Sequence, residues 1–148
     1  MRAMLRITSE VFKNNGHIPP KYTFDGANVN PPLIIGGLPM KTKTLVLIVD
    51  DPDAHDKAHI HWMIWNIPAT NKIQENTIPG EEGFNDFKKQ HYRGCYRPSS
   101  LHRYFFRIYA LSDYLSLSPK TNRTELEAAM ERCIVGYGET VGVYERKK

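Results

Sequence analysis

The sequence predicts a mostly β, largely antiparallel protein with one late helix. Three observations carry that expectation. Runs at residues 44–49, 59–67 and 102–111 are rich in β-branched and aromatic residues and are closed by turn formers. Ten prolines, ten glycines, eight tyrosines and six phenylalanines favour strands and turns over a helical bundle. A single stretch, residues 124–135, shows convincing helical spacing.

The first forty residues are turn-rich. Asn15-Gly16 follows Val11-Phe12, and Pro19-Pro20, Asp25-Gly26 and Pro31-Pro32 punctuate what comes next. Proline lacks a backbone donor, so these segments read as loops or sheet edges. Thr44-Leu-Val-Leu-Ile-Val49 is apolar on both faces and suits a central strand covered on two sides. Asp50, Asp51 and Asp53 end it. In the next strand, strict alternation sends His59, His61, Met63, Trp65 and Ile67 to one face and Ile60, Trp62, Ile64 and Asn66 to the other. In residues 102–111, His102, Tyr104, Phe106, Ile108 and Ala110 share a face. The helix is expected to start on a Thr124–Glu127 capping box. It continues through Leu126, Ala129, Met130, Cys133 and Ile134 and stops at Gly136. Residues 140–144 read as a final strand.

The length of 148 residues suits one domain, taken here as residues 1–148. With 41% hydrophobic residues and a net charge of +4, the chain can bury a core and is not disordered. No apolar run approaches the roughly 20 residues that span a bilayer, so stable membrane insertion is not expected. Two cysteines, Cys95 and Cys133, make no disulfide framework; with no secretory leader read at the start, a cytoplasmic location is expected. Arginines alternate with aromatics in residues 91–109, but no nucleic-acid motif matches and none is expected as a partner.

No nucleophile elbow, phosphate loop or H-E-x-x-H is present. The chemistry instead lies in three polar clusters at strand ends: Asp50, Asp51 and Asp53; His55, His59 and His61; and His102, Arg103 and Tyr104. Brought to one sheet rim, imidazolium and phenol groups would donate to a small anion while a carboxylate orients an imidazole. The alternative is a metal-dependent hydrolase using His55, His59 and His61 with Asp51 or Asp53, ligand types that zinc accepts.

At these clusters the chain resembles the phosphatidylethanolamine-binding protein family, also called Raf-kinase-inhibitor-like. The early stretch Ile18-Pro-Pro-Lys-Tyr-Thr-Phe-Asp-Gly26 resembles a family loop. Asp51-Pro52-Asp53-Ala54 resembles its D-P-D-A-P signature, His61-Trp62 with Asn66-Ile67-Pro68 its H-W…N-I-P strand, and His102-Arg103-Tyr104 its H-R-Y. The length and the short C-terminal end are similar to the compact bacterial and archaeal branch. The resemblance implies a Greek-key β-sandwich with one or two short helices and no cofactor. It also implies a small anion pocket built from Asp51, His61, His102 and Tyr104, with Gly94 close by. Asp53, Ala54, His55 and Arg103 would support it, Asp53 and Arg103 by pairing to brace the two signature loops. His55 stands where the family has proline. Residues 92–100 replace family glycines and prolines with Arg93, Cys95, Arg97 and Ser100, which raises local positive charge. The implied function is non-enzymatic binding of phosphate-like or phosphoethanolamine ligands. Regulation of a kinase or protease partner, and a homodimer, are further family-level expectations.

Overall fold

A computed structural model describes residues 2–54, 59–95 and 100–145. Among them are ten strands in two sheets and one α-helix. The strands are β1 (Ala3–Met4), β2 (Arg6–Thr8), β3 (Gly16–His17), β4 (Leu33–Gly36), β5 (Thr44–Asp51), β6 (His59–Pro68), β7 (Lys72–Ile73), β8 (Glu81–Glu82), β9 (His102–Leu111) and β10 (Ile134–Tyr144). The larger sheet runs β1-β10-β9-β5-β6-β8, with β3 also on β10; the smaller runs β2-β4-β7. All pairings are antiparallel except β1 and β3 on β10, which are parallel. A 3-10 turn at Pro20–Tyr22 is the second short helical element.

β5 is buried along its whole length because both its faces are covered, as its doubly apolar sequence requires. Leu45, Leu47 and Val49 join Trp62, Ile64, Tyr104, Phe106 and Ile108 in a core closed by Leu33, Ile35 and Ile73 of the small sheet. Val46 and Ile48 face the other way, onto Met63, Trp65, Leu126, Met130 and Cys133 under the helix. The molecule is thus layered as small sheet, large sheet, helix.

Three expectations need correction. First, β6 does not alternate strictly. Its register to β5 slips between Val49↔Trp62 and Asp50↔Ile60, and again between Leu45↔Ile67 and Leu47↔Ile64. The first bulge places an extra residue, His61, in β6, so Trp62 and His61 both serve the small-sheet side while Met63 and Trp65 serve the helix side. At the second, Asn66 takes φ 54° and its side chain clamps both backbone groups of Leu115. Second, α1 (Arg123–Met130) is capped two residues early: Asn122 Oδ1 accepts from Glu125 N (2.8 Å) and Glu125 Oε1 from Asn122 N (3.0 Å). Third, Gly136 lies inside β10 rather than ending the helix. A Cβ there would meet Leu5 at 3.0 Å, and one at Gly138 would meet the Leu5 carbonyl at 2.5 Å. Glycine lets the first segment of the chain press against β10.

Candidate functional site

The C-terminal end of β5, the N-terminal ends of β6 and β9, and residues 92–95 meet at one rim. Consecutive aspartates end β5 and point to opposite faces. Asp50, fully buried, faces the helix side and takes Arg107 Nε (3.1 Å) and Arg123 Nη1. Asp51, also buried, faces the small-sheet side; its Oδ2 accepts from His102 Nδ1 at 2.6 Å and its Oδ1 from Asp53 N at 2.8 Å. The acidic run is therefore two devices: Asp50 is an internal ion-pair centre and does not reach the rim.

The bulge in β6 turns His61 toward Tyr104, ring centroids 5.4 Å apart and edge to face. His61 Nδ1 donates to the Arg93 carbonyl at 2.6 Å, and Arg93 N returns a bond to the His61 carbonyl at 3.2 Å. Burial outweighs these contacts and lowers the His61 pKa to about 4. The ring is neutral at pH 7. His102 stacks on Tyr104 at 6.4 Å. Burial also holds the Tyr104 hydroxyl far above its usual range, and burial pushes up the Cys95 thiol.

Gly94 is buried between the rim and the early loop. A Cβ there would stand 2.0 Å from the Tyr22 carbonyl, and its N–H is committed to Asn28 Oδ1 at 2.7 Å. Asp53 and Arg103 form a two-pronged pair, Nε and Nη2 each at 2.9 Å, and Arg103 N adds a third bond. This lowers the Asp53 pKa, chiefly through the side-chain hydrogen bond. Ala54 N closes the turn onto the Asp51 carbonyl at 3.4 Å. His55 and Arg97 lie outside the described residues; the Arg93 guanidinium sits over the Phe24 ring at 5.6 Å.

The sequence reading missed several supports. Buried Asn85 binds the carbonyls of His61 and His91 and accepts from Phe87 N and Lys89 N, shaping the loop that walls the rim. Phe87 packs on both His59 (4.8 Å) and His61 (5.5 Å). His59 stands opposite Asp51 in the ladder, its Nδ1 3.9 Å from Asp86, while its Nε2 is buried without a partner. The Asn85-Asp86-Phe87 run carries an Asx-turn signal, but nothing local tells which strand it will reach. Among the described residues, no group of three or more His, Cys, Asp or Glu could hold a metal ion. Nor is any helix among them long and apolar enough to cross a membrane.

Fold and rim together define a layered β protein with a compact histidine–carboxylate–tyrosine cluster at its strand ends. The chain belongs to the phosphatidylethanolamine-binding protein family, whose pattern matches residues 8–145. It is 48% identical to a UPF0098 protein of Pyrococcus horikoshii over 94% of this chain and 76% of that one. A UPF0098 protein of Methanothermobacter thermautotrophicus is 39% identical over 96% and 99% of the two chains. The crystal structure of a phosphatidylethanolamine-binding protein homolog from Chlamydia trachomatis superposes with a TM-score of 0.91 at 32% identity, covering 99% of this chain and 100% of that one. Escherichia coli YbcL, at 24% identity over 97% and 99%, shares the fold with a TM-score of 0.87.

Proposed function

We propose that the protein is a non-enzymatic binding protein that takes a small phosphate-like anion at the rim formed by Asp51, His61, His102 and Tyr104. The observation that carries this reading is the 2.6 Å contact between Asp51 Oδ2 and His102 Nδ1. It fixes the imidazole so that its other nitrogen is the one left for a ligand. Family membership supports a binding role. So does the state of the nearby nucleophiles: the Cys95 thiol and Tyr104 hydroxyl are buried and held protonated.

Calorimetric titration of the purified protein with inorganic phosphate and with phosphoethanolamine tests the reading. Binding should weaken at least about tenfold in His102→Ala, with circular dichroism unchanged, because a charge-assisted contact of this kind contributes about 1.5–3 kcal/mol. No binding by the parent chain, or equal binding by His102→Ala, would refute it.

A further inference from the structure

A second cleft opens on the flank of the molecule, between the early loop, residues 76–78, β8 and residues 91–92. It encloses about 470 Å3, within the range of small-molecule sites, and none of Asp51, His61, His102 and Tyr104 lines it. In its wall stands the Glu82 carboxylate, on a side chain only 7% exposed. Trp62 Nε1 donates to Glu82 Oε2 at 2.7 Å and fixes the group. The other oxygen, Oε1, meets His91 Nδ1 at 2.8 Å. Among the described residues His91 is the sole ion partner of Glu82, and no lysine or arginine lines the cleft. In a chain of net charge +4 this is a local anionic spot. Two further acceptors stand in the lining, the Asn76 amide oxygen and the Thr77 hydroxyl. Asn30 holds the backbone of both, binding Asn76 N at 3.1 Å and Thr77 N at 2.9 Å, while neither side chain has a partner among the described residues. The imidazole on Glu82 is loosely seated: its side chain is 67% exposed, and its backbone holds φ 131°, which a residue with a Cβ rarely adopts. Strain of this kind gathers at ligand clamps.

We propose that this cleft binds a primary ammonium group carried on a small organic body, with Glu82 Oε1 accepting from the ammonium in place of His91. An ammonium has three N–H donors and no acceptor, and the cleft offers a carboxylate, an amide oxygen and a hydroxyl oxygen to meet them. The charge-assisted contact with Glu82 supplies the strength. A quaternary ammonium brings the charge without the donors. A neutral alcohol brings a donor without the charge that a nearly buried carboxylate calls for. An anion meets Glu82 with no lysine or arginine in the lining to offset the repulsion. His91 is the placeholder: it occupies Glu82 until a ligand arrives, and its displacement is part of the cost of binding. This site is independent of the anion reading at the rim.

The test is a nuclear magnetic resonance titration of the nitrogen-15-labelled chain with n-butylammonium, tetramethylammonium and 1-butanol. At about pH 8 a butylamine, whose pKa is close to the 10.4 of a lysine, is charged. The chain has two tryptophans, so two indole N–H signals report: Trp62 bonds to Glu82, and Trp65 faces the helix side and serves as the internal control. Butylammonium should shift the Trp62 signal saturably and leave that of Trp65 in place. It should bind at least about tenfold more tightly than tetramethylammonium or 1-butanol, the factor that one charge-assisted hydrogen bond produces. Glu82→Gln keeps an acceptor for the indole but removes the charge, and should weaken butylammonium at least about tenfold. His91→Ala removes the competitor and should tighten it by about threefold or more. Equal binding of 1-butanol or tetramethylammonium overturns the proposal, as does unchanged affinity in Glu82→Gln, unchanged or weaker affinity in His91→Ala, or no binding by the parent chain. Should Glu82→Gln fail to fold, the ranking of the three probes and the His91→Ala titration decide. Phosphate titrations of the rim report on that site separately, so either reading can fail without the other.

Discussion

Replacing Asp50 by asparagine should be among the costliest single changes that leave the core volume intact. Asp50 is 1% exposed and lies between two guanidinium groups. Asparagine matches its size, so no cavity forms; what is lost is the charge that two arginines were brought together to meet. Removing one partner of a buried ion pair costs about 3–5 kcal/mol. Here the stranded cations retain some company: Arg107 keeps Glu139 at 3.1 Å and Arg123 keeps Glu127 at 3.5 Å. The expected loss is therefore at the lower end, about 3 kcal/mol. With a urea slope of about 2 kcal/mol/M, the unfolding midpoint should fall by about 1.5 M. Arg123→Ala is the informative partner. Asp50 then still accepts from Arg107 Nε at 3.1 and 3.3 Å, so the cost should be smaller, about 1–2 kcal/mol. Urea unfolding followed by tryptophan fluorescence measures both. A midpoint shift in Asp50→Asn below about 0.5 M, or an Arg123→Ala shift equal to it, would show that Asp50 is not the centre of this network.

Gly94→Ala should destabilise by about 3 kcal/mol, since the new methyl would meet backbone of Tyr22 and Thr23 on a wall that cannot turn aside; a thermal melt within error of the parent would contradict this. The buried, neutral His61 makes stability pH-dependent. Its proton affinity is lowered on folding, from a pKa of 6.5 to about 4, so its contribution is present above pH 6.5 and is lost as pH falls toward 4. The full effect is about 3 kcal/mol, read as the difference in pH slope of urea stability between the parent and His61→Asn; identical slopes would refute it. Asn122→Ala should cost about 1 kcal/mol by removing the helix cap, whereas Thr124→Ala, inside the helix, should cost under about 0.5 kcal/mol; the reverse order in chemical denaturation would restore the Thr124 cap.

The central strands were legible because their patterns are strong. Residues 44–49 are apolar on both faces and are covered on both; residues 102–111 alternate and keep their alternation. β6 carries an equally apolar sequence, yet its faces were misjudged. A bulge is set by the neighbouring strand and by Asn66 at positive φ, and neither leaves a mark on periodicity. β10 looked five residues long and is eleven, because Gly136, Gly138 and Gly142 depress strand propensity while serving close approach by Leu5 and Ile18. The strands of two to four residues were unreadable: their stability comes from what they pair with. At the rim, residue types and positions were visible in the sequence. The separation of Asp50 from Asp51 follows from simple alternation along β5. The committed Nδ1 of His61 depends on a carbonyl 32 positions away, and backbone partners of that kind have no residue signature.

The pairing of β10 with the chain's opening segment has a consequence for biosynthesis. Ala3 lies against Gly136 and Gly16 against Gly142, so β1 and β3 find their mates only once β10 has been made, whereas β2 between them pairs with the nearby β4. A nascent chain stalled before residue 134 carries the β5–β6–β9 centre with one flank bare, and β1 and β3 have nowhere to dock. Ribosome-bound intermediates of this protein should therefore stay protease-sensitive and attract chaperones until β10 has cleared the exit tunnel, then close in a single late step.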